Sequence, residues 1–227
     1  VTNSVLRLVE HLEAVGHEAM VIAPGPGVDH IGSTPVMRVP SVGLPSYAGV
    51  RIGSPSARLT SALRRFSPDV VHLAAPSVLG VAGLRAARRL DVPTVAIYQT
   101  DLVGFARRYG LASAQRPLWS WIRWIHERVD LTLAPSTSAR WTLAAHGIGN
   151  VACWRRGVDL TRFHPDHRCS TLRHELAPNG EIIVGYIGRL AKEKQVERLS
   201  PVTKLPGVKV VVVGDGPERA RLECRLP

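Results

Sequence analysis

Apolar positions recur along the chain with two alternating rhythms. Val5, Leu8, Val9, Leu12 and Val15 fall at helical spacing, Thr2, Asn3 and Ser4 are available as caps, and Gly16 stops the helix they imply. Glu18 to Ala23 reads as a strand closed by Pro24-Gly25-Pro26-Gly27, and Pro35 to Val39 as another. Pro40 to Pro55 is rich in Gly, Pro and Ser and too irregular to predict an element. From Ser56 a helix turns Leu59, Leu63 and Phe66 inward and Arg58, Arg64 and Arg65 outward, ending before Pro68. Asp69 to Leu73 is a strand, Val78 to Leu90 a helix and Pro93 to Tyr98 a strand. Strand, helix and strand in alternation predict an α/β fold with a doubly wound parallel sheet.

The rhythm continues downstream. Pro117 to Val129 predicts a helix with Leu118, Ile122, Ile125 and Val129 on one face, and Trp119, Trp121 and Trp124 interleaved with Arg116, Arg123 and Arg128 elsewhere. Those tryptophans either pack against the sheet and a neighbouring helix or lie on a membrane interface. His126 sits mid-helix without a partner motif and reads as structural. Asp130 to Ala134 is a strand, Ser136 to His146 a helix closed by Gly147, Val151 to Trp154 a short strand and Ser170 to Leu176 a short helix.

Two strand ends carry candidate chemistry. The apolar run Ile182 to Ile187, closed by Gly188 and followed by Arg189-Leu190-Ala191-Lys192-Glu193-Lys194, reads as a buried parallel strand feeding a loop and then a helix through Leu199. Ligands of such sheets bind beyond the carboxyl ends of the strands, where Arg189 and Lys194 would stand. A guanidinium grips phosphate oxygens in a planar fork and an ammonium acts as a point charge, so the pair suits a diphosphate. An ordinary solvated basic helix has the same spacing. Val208 to Val213 is a second buried strand, turning through Gly214-Asp215-Gly216-Pro217 into a helix from Glu218. The other end is Tyr98-Gln99-Thr100-Asp101, where polar groups are placed for substrate contact, although Asp101 serves equally as a helix N-cap.

Charge narrows the partners. The formal net charge is +11 over 227 residues; residues 1–157 hold 17 Arg, no Lys and 9 acids, against 12 bases and 9 acids in residues 158–227. An arginine-biased first half suits phosphate groups, an acidic lipid surface or nucleic acid. No nucleic-acid reading motif accompanies the charge, so no nucleic-acid partner is expected. Cys153, Cys169 and Cys224 are odd in number and widely spaced, without a C-x-x-C pair, which predicts half-buried or buried thiols and no metal site. Neither a transmembrane span nor a signal peptide is evident, which makes a cytoplasmic location the default expectation.

The motifs together resemble one family. G-R-L-A-x-E-K at 188–194, Val1-Thr2-Asn3-Ser4, Y-Q-T-D at 98–101, W-R-R-G-V-D-x-x-x-F-H-P at 154–165 and G-D-G-P at 214–217 are similar, in that order, to the retaining GT-B glycosyltransferases of family 4. The resemblance implies two Rossmann-like domains facing a cleft, an acceptor-side domain over 1–157 lacking its first strand, and the start of a nucleotide-sugar-binding domain over 158–227. It implies Arg189 and Lys194 on the donor diphosphate, Asp101 and Gln99 as catalytic residues, and Thr2, Asn3 and Thr100 towards sugar and acceptor. Gln99 stands where many relatives have histidine, which removes a titratable group. No metal or cofactor is implied; the donor is a nucleotide-sugar. Within the family the wording is most similar to the actinobacterial GDP-mannose-dependent α-mannosyltransferases, which implies GDP-mannose as donor, a lipid or glycolipid acceptor and a peripheral position on the inner face of an anionic membrane.

The family's second domain continues for several more strands, with two glutamates that contact the donor. This chain is two strands into that domain at Pro227, which predicts poor protection of residues 166–227 and negligible transfer by these residues alone. The alternative expectation is a non-catalytic fragment that binds acceptor or anionic membrane without turnover.

Overall fold

The structure, a computed structural model, describes residues 2–43, 51–54, 57–75, 77–155 and 157–226. Val1, Ser56, Arg156, Pro227 and, within the Pro40 to Pro55 stretch, residues 44–50 and 55, all part of the expectations above, lie outside the described residues.

The chain forms two units, Val1–Leu102 with Arg116–Arg156, and Val103–Gln115 with Gly157–Pro227. The short segment Val103–Gln115 thus belongs with the distant carboxyl-terminal half rather than with its sequence neighbours.

In the first unit, α1 (Thr2–Ala14) precedes β1 (Val21–Pro24), β2 (His30–Ile31) and β3 (Thr34–Val39), which make a sheet of order β1-β3-β2. Glu13 near the end of α1 accepts from Ser33 Oγ at 2.8 Å and Thr34 Oγ1 at 2.7 Å, tying the helix to the β2–β3 turn. These two hydroxyls hold the Glu13 carboxyl below the usual carboxylate range. The Pro40 to Pro55 stretch corrects the sequence reading: β4 (Ser41–Gly43) and β5 (Arg51–Gly53) pair antiparallel, with Val42 opposite Ile52. A three-residue strand is too short to show a period in sequence, and Gly and Pro around it mask it.

The second sheet is parallel, in the order β6 (Val71–Leu73), β7 (Thr94–Ile97), β8 (Leu131–Ala134) and β9 (Val151–Cys153). Helices α2 (Ala57–Phe66), α3 (Val78–Arg89), α5 (Gln115–His126) and α6 (Thr137–Ala145) connect or flank these strands. Ser77 caps α3 by accepting from Gly80 N at 3.3 Å, and Ser136 caps α6 by accepting from Ala139 N at 3.1 Å. α3 has two apolar sides: Leu84 packs with Leu73, Ala96 and Val129, while Ala86 packs with Leu59 and Leu63 of α2. Burying each such leucine contributes roughly 1.5–3 kcal/mol.

In the second unit, α4 (Leu102–Arg108) begins one residue ahead of Val103 and runs into it, followed by α7 (Ser170–Leu176), β10 (Ile182–Ile187), β11 (Val208–Val213) and α8 (Arg219–Glu223). β10 and β11 pair parallel from Ile182↔Val208 to Ile187↔Val213 and form a sheet of two strands among the described residues. The expected burial of β10 is therefore corrected: Ile182 is 66% and Ile187 84% exposed. An apolar run predicts burial only when layers cover both faces. The predicted helix from Glu193 to Leu199 is instead two 3-10 turns, Lys192–Lys194 and Val196–Leu199, because Gln195 between them adopts the left-handed conformation at φ 52°. All three cysteines are exposed, against the expectation of buried thiols.

Candidate functional site

Gly188, Arg189 and Leu190 leave the carboxyl end of β10 beside the loop that leaves β11. The two loops are joined backbone to backbone: Gly188 N donates to Val213 O at 2.9 Å, Leu190 N to Asp215 O at 2.9 Å and Glu218 N to Leu190 O at 3.0 Å. Gly214 and Gly216, at φ 152° and 157°, make this approach possible, since a Cβ on either would overlap Gly188 O or Leu190 O. Tyr186 Oη donates to Arg189 O at 2.9 Å, and buried Leu190 packs with Val196 and Leu222. The Arg189 backbone is thus held from several directions while its side chain is exposed.

Lys194 closes the following 3-10 turn, its N donating to Ala191 O at 2.8 Å, and its side chain is exposed too. Between them Glu193 is half-buried, and Tyr109 Oη donates to its Oε2 at 2.8 Å. Tyr186 feels the same carboxylate: burial first, then the Glu193 charge, pushes its phenol up. The sequence singles out the segment that holds Glu193 but not its pairing with Tyr109, for residues 84 apart carry no local signal of contact.

The second predicted cluster belongs to the first unit. Tyr98 directly follows β7, its N donating to Leu133 O at 2.9 Å, and its ring stacks on Trp119 at 6.3 Å and meets His126 edge-on at 6.1 Å. Burial, with the Asp101 charge adding to it, pushes the Tyr98 phenol up to about 12, so it stays a neutral hydroxyl. Gln99 Nε2 donates to Ala74 O at 3.0 Å, pinning the loop after β7 to the loop after β6. Thr100 and Asp101 follow with exposed side chains, immediately ahead of α4. Thr2 and Asn3 occupy the first turn of α1, both exposed. Gln99, Thr100 and Asp101 therefore form one loop, Thr2 and Asn3 one helix start, and Arg189 with Lys194 one loop of the other unit.

His126 lies in the core at 2% exposure, its Nδ1 3.0 Å from Thr132 Oγ1, and its Nε2 has no hydrogen-bond partner among the described residues. Burial pushes the imidazole down to about 4. Trp119 stacks on His146 at 3.5 Å, and Trp124 carries Arg128 at 4.6 Å and Arg85 at 5.8 Å over its ring. A groove at β3 and α2 is lined by Met37, Arg38, Arg58, Ser61, Arg64 and Arg65. Arg38 is anchored there, its Nε donating to Val28 O at 2.7 Å and its Nη1 to Pro24 O at 3.1 Å.

Among the described residues no group of three or more His, Cys, Asp or Glu is placed to hold a metal ion, and no helix is long and apolar enough to cross a membrane.

Comparison with known proteins follows the same lines. A GDP-mannose-dependent α-mannosyltransferase from Mycolicibacterium smegmatis is 50% identical over 233 residues, covering 100% of this chain and 62% of its own length. A GDP-mannose-dependent α-(1-6)-phosphatidylinositol dimannoside mannosyltransferase from Mycobacterium tuberculosis is 31% identical, covering 97% of the chain and 60% of its own. The chain therefore spans less than two thirds of either relative. Among solved structures, Anabaena HepE in complex with UDP-glucose superposes with a TM-score of 0.64 at 16% identity, over 95% of this chain and 58% of that one, and shows the GT-B fold. Residues 1–162 match the model of Glycosyltransferase Family 4, and the chain belongs to that family.

Proposed function

We propose that the whole protein transfers mannose from GDP-mannose to a hydroxyl group of a glycolipid, with retention of anomeric configuration. The observation that carries this reading is the interlocked pair of loops after β10 and β11, which presents Arg189 from a fixed backbone in a chain half identical to a GDP-mannose-dependent α-mannosyltransferase. In the transition state the sugar gains oxocarbenium character and the leaving diphosphate gains negative charge. Arg189 and Lys194 stabilise that charge, and because their loop is rigid they need little reorganisation to do so. The departing phosphate takes the acceptor proton on the same face of the sugar. Asp101 and Gln99, with Thr100, Thr2 and Asn3, contact sugar and acceptor from residues 1–157, and residues 158–227 hold the nucleotide-sugar. The neutral Gln99 amide, already tied to Ala74, orients rather than exchanges protons.

A lipid acceptor agrees with the phosphatidylinositol dimannoside named for one relative and with the arginine groove of α2, which suits the phosphates of an anionic membrane. The same groove favours the second reading, a protein that binds anionic membrane without turnover.

Transfer of labelled mannose from GDP-mannose to glycolipid acceptors by the whole protein tests the reading. Product is expected, with kcat/KM lowered about 100-fold in Arg189→Ala. Membrane binding with no product would favour the second reading, and use of UDP-sugars alone would overturn the donor.

A further inference from the structure

We infer that the Tyr98 hydroxyl is a further substrate contact, donating a hydrogen bond to an acceptor hydroxyl next to the one that receives mannose. The inference deepens the proposed function and rests on its reading of residues 1–157 as the acceptor side. Tyr98 is 6% exposed, yet among the described residues its Oη has no hydrogen-bond partner. The oxygen is not sealed from solvent either, for His126 Nε2 is the one sealed and unpaired side-chain polar atom among the described residues. A phenol so deeply set ordinarily finds its partner within the protein. One that does not, and whose oxygen stays open, is placed to find it in a ligand.

The ring is held so that this oxygen is presented from a fixed position. Tyr98 N extends the β7–β8 ladder by donating to Leu133 O at 2.9 Å. Trp119 stacks on the ring at 6.3 Å and 21°, and His126 meets it edge-on at 6.1 Å and 75°. Both come from α5, seven residues apart and hence on one face of the helix. Each is braced in turn, Trp119 by His146 at 3.5 Å and His126 Nδ1 by Thr132 Oγ1 at 3.0 Å, and all of these residues belong to the first unit. A tyrosine fixed in this way loses little freedom on binding, so little ordering offsets its hydrogen bond. Burial, with the Asp101 charge adding to it, keeps the hydroxyl protonated, and it therefore donates. A bond donated to the attacking oxygen would draw off the lone pair that the reaction needs, which makes a neighbouring acceptor hydroxyl the fitting partner.

Transfer of mannose from GDP-mannose by the whole protein tests the inference, with octyl α-D-mannopyranoside or octyl α-D-glucopyranoside as acceptor, whichever is used better, and its monodeoxy derivatives. Tyr98→Phe keeps the ring between its neighbours and removes the hydroxyl alone. It is expected to lower kcat/KM for the acceptor about 3- to 10-fold, the scale of one hydrogen bond, with KM for GDP-mannose and the denaturant midpoint unchanged. One monodeoxy acceptor is expected to lose as much with wild type and nothing further with Tyr98→Phe. Wild-type kinetics in Tyr98→Phe overturn the inference alone, since a tyrosine that only packs is replaced by its ring. Additive losses for every monodeoxy acceptor overturn it too, as does a raised KM for GDP-mannose, which would put the hydroxyl on the donor. Wild type that transfers mannose to neither glycoside overturns the glycolipid reading and the inference with it.

Discussion

Leu190 N donates to Asp215 O at 2.9 Å, so the loop after β10 is tied backbone to backbone to the loop after β11 at the point where Gly216 passes beneath Leu190 O. The Arg189 backbone is held by its surroundings, its carbonyl accepting from Tyr186 Oη at 2.9 Å. Gly216→Ala adds a Cβ where no space exists and at a positive φ, so it is expected to cost about 2 kcal/mol or more and to weaken pyrophosphate binding although no charge is removed. Denaturant unfolding and titration of the same variant check both halves. Full affinity after the substitution would separate the loop from the site.

His126 makes stability depend on pH. Its folded value near 4 lies below the ordinary 6.5, so the stability it contributes is fully present above pH 6.5 and is lost as pH falls towards 4. Between pH 7 and pH 5 the loss from this group is about 2 kcal/mol. His72, lowered by burial as well, adds in the same direction. Denaturant midpoints at the two pH values are expected to converge in His126→Gln relative to wild type. An equal drop in both would place the proton elsewhere.

Asp130 accepts from Thr94 N at 2.7 Å and Thr94 Oγ1 at 2.8 Å, and these bonds hold its carboxyl below the usual range. Their stabilising effect is present above the ordinary carboxylate value and is lost as pH falls through the depressed one. Thr94→Val, with Thr94 1% exposed, is expected to cost about 1 kcal/mol at pH 7 and less in acid, read from unfolding curves. A cost independent of pH would assign the effect to packing instead.

The arginine groove predicts lipid binding that depends on charge. Reversal of Arg64 and Arg65 to Glu is expected to abolish flotation with vesicles containing acidic lipid while leaving pyrophosphate titration unchanged, since each cation near such a surface is worth about 1 kcal/mol. Equal flotation with neutral and acidic vesicles by the unaltered protein would remove the membrane from the account.

Much of this fold is legible where the signal is local. The runs Ile182–Ile187 and Val208–Val213 and the helix Ser170–Leu176 form at the predicted bounds, because apolar runs and breakers are written next to one another. β4 and β5 escaped because three residues carry no period, and the turn at Lys192–Lys194 escaped because nothing in its composition announces a left-handed Gln195. Burial of β10 was misjudged since coverage of a sheet is a property of other segments. In the same way, motif wording located Arg189 and Lys194 at a strand end, whereas Tyr109 and Glu193 meet only through folding.

The central claim is that Arg189 and Lys194 receive the diphosphate of a nucleotide-sugar. Titration of GDP and of guanosine into wild type and Arg189→Ala/Lys194→Ala tests it most directly. The account predicts saturable, salt-sensitive GDP binding, none for guanosine at the same concentrations, and a loss of about 100-fold or more in the double variant. GDP affinity unchanged by removal of both cations would contradict it.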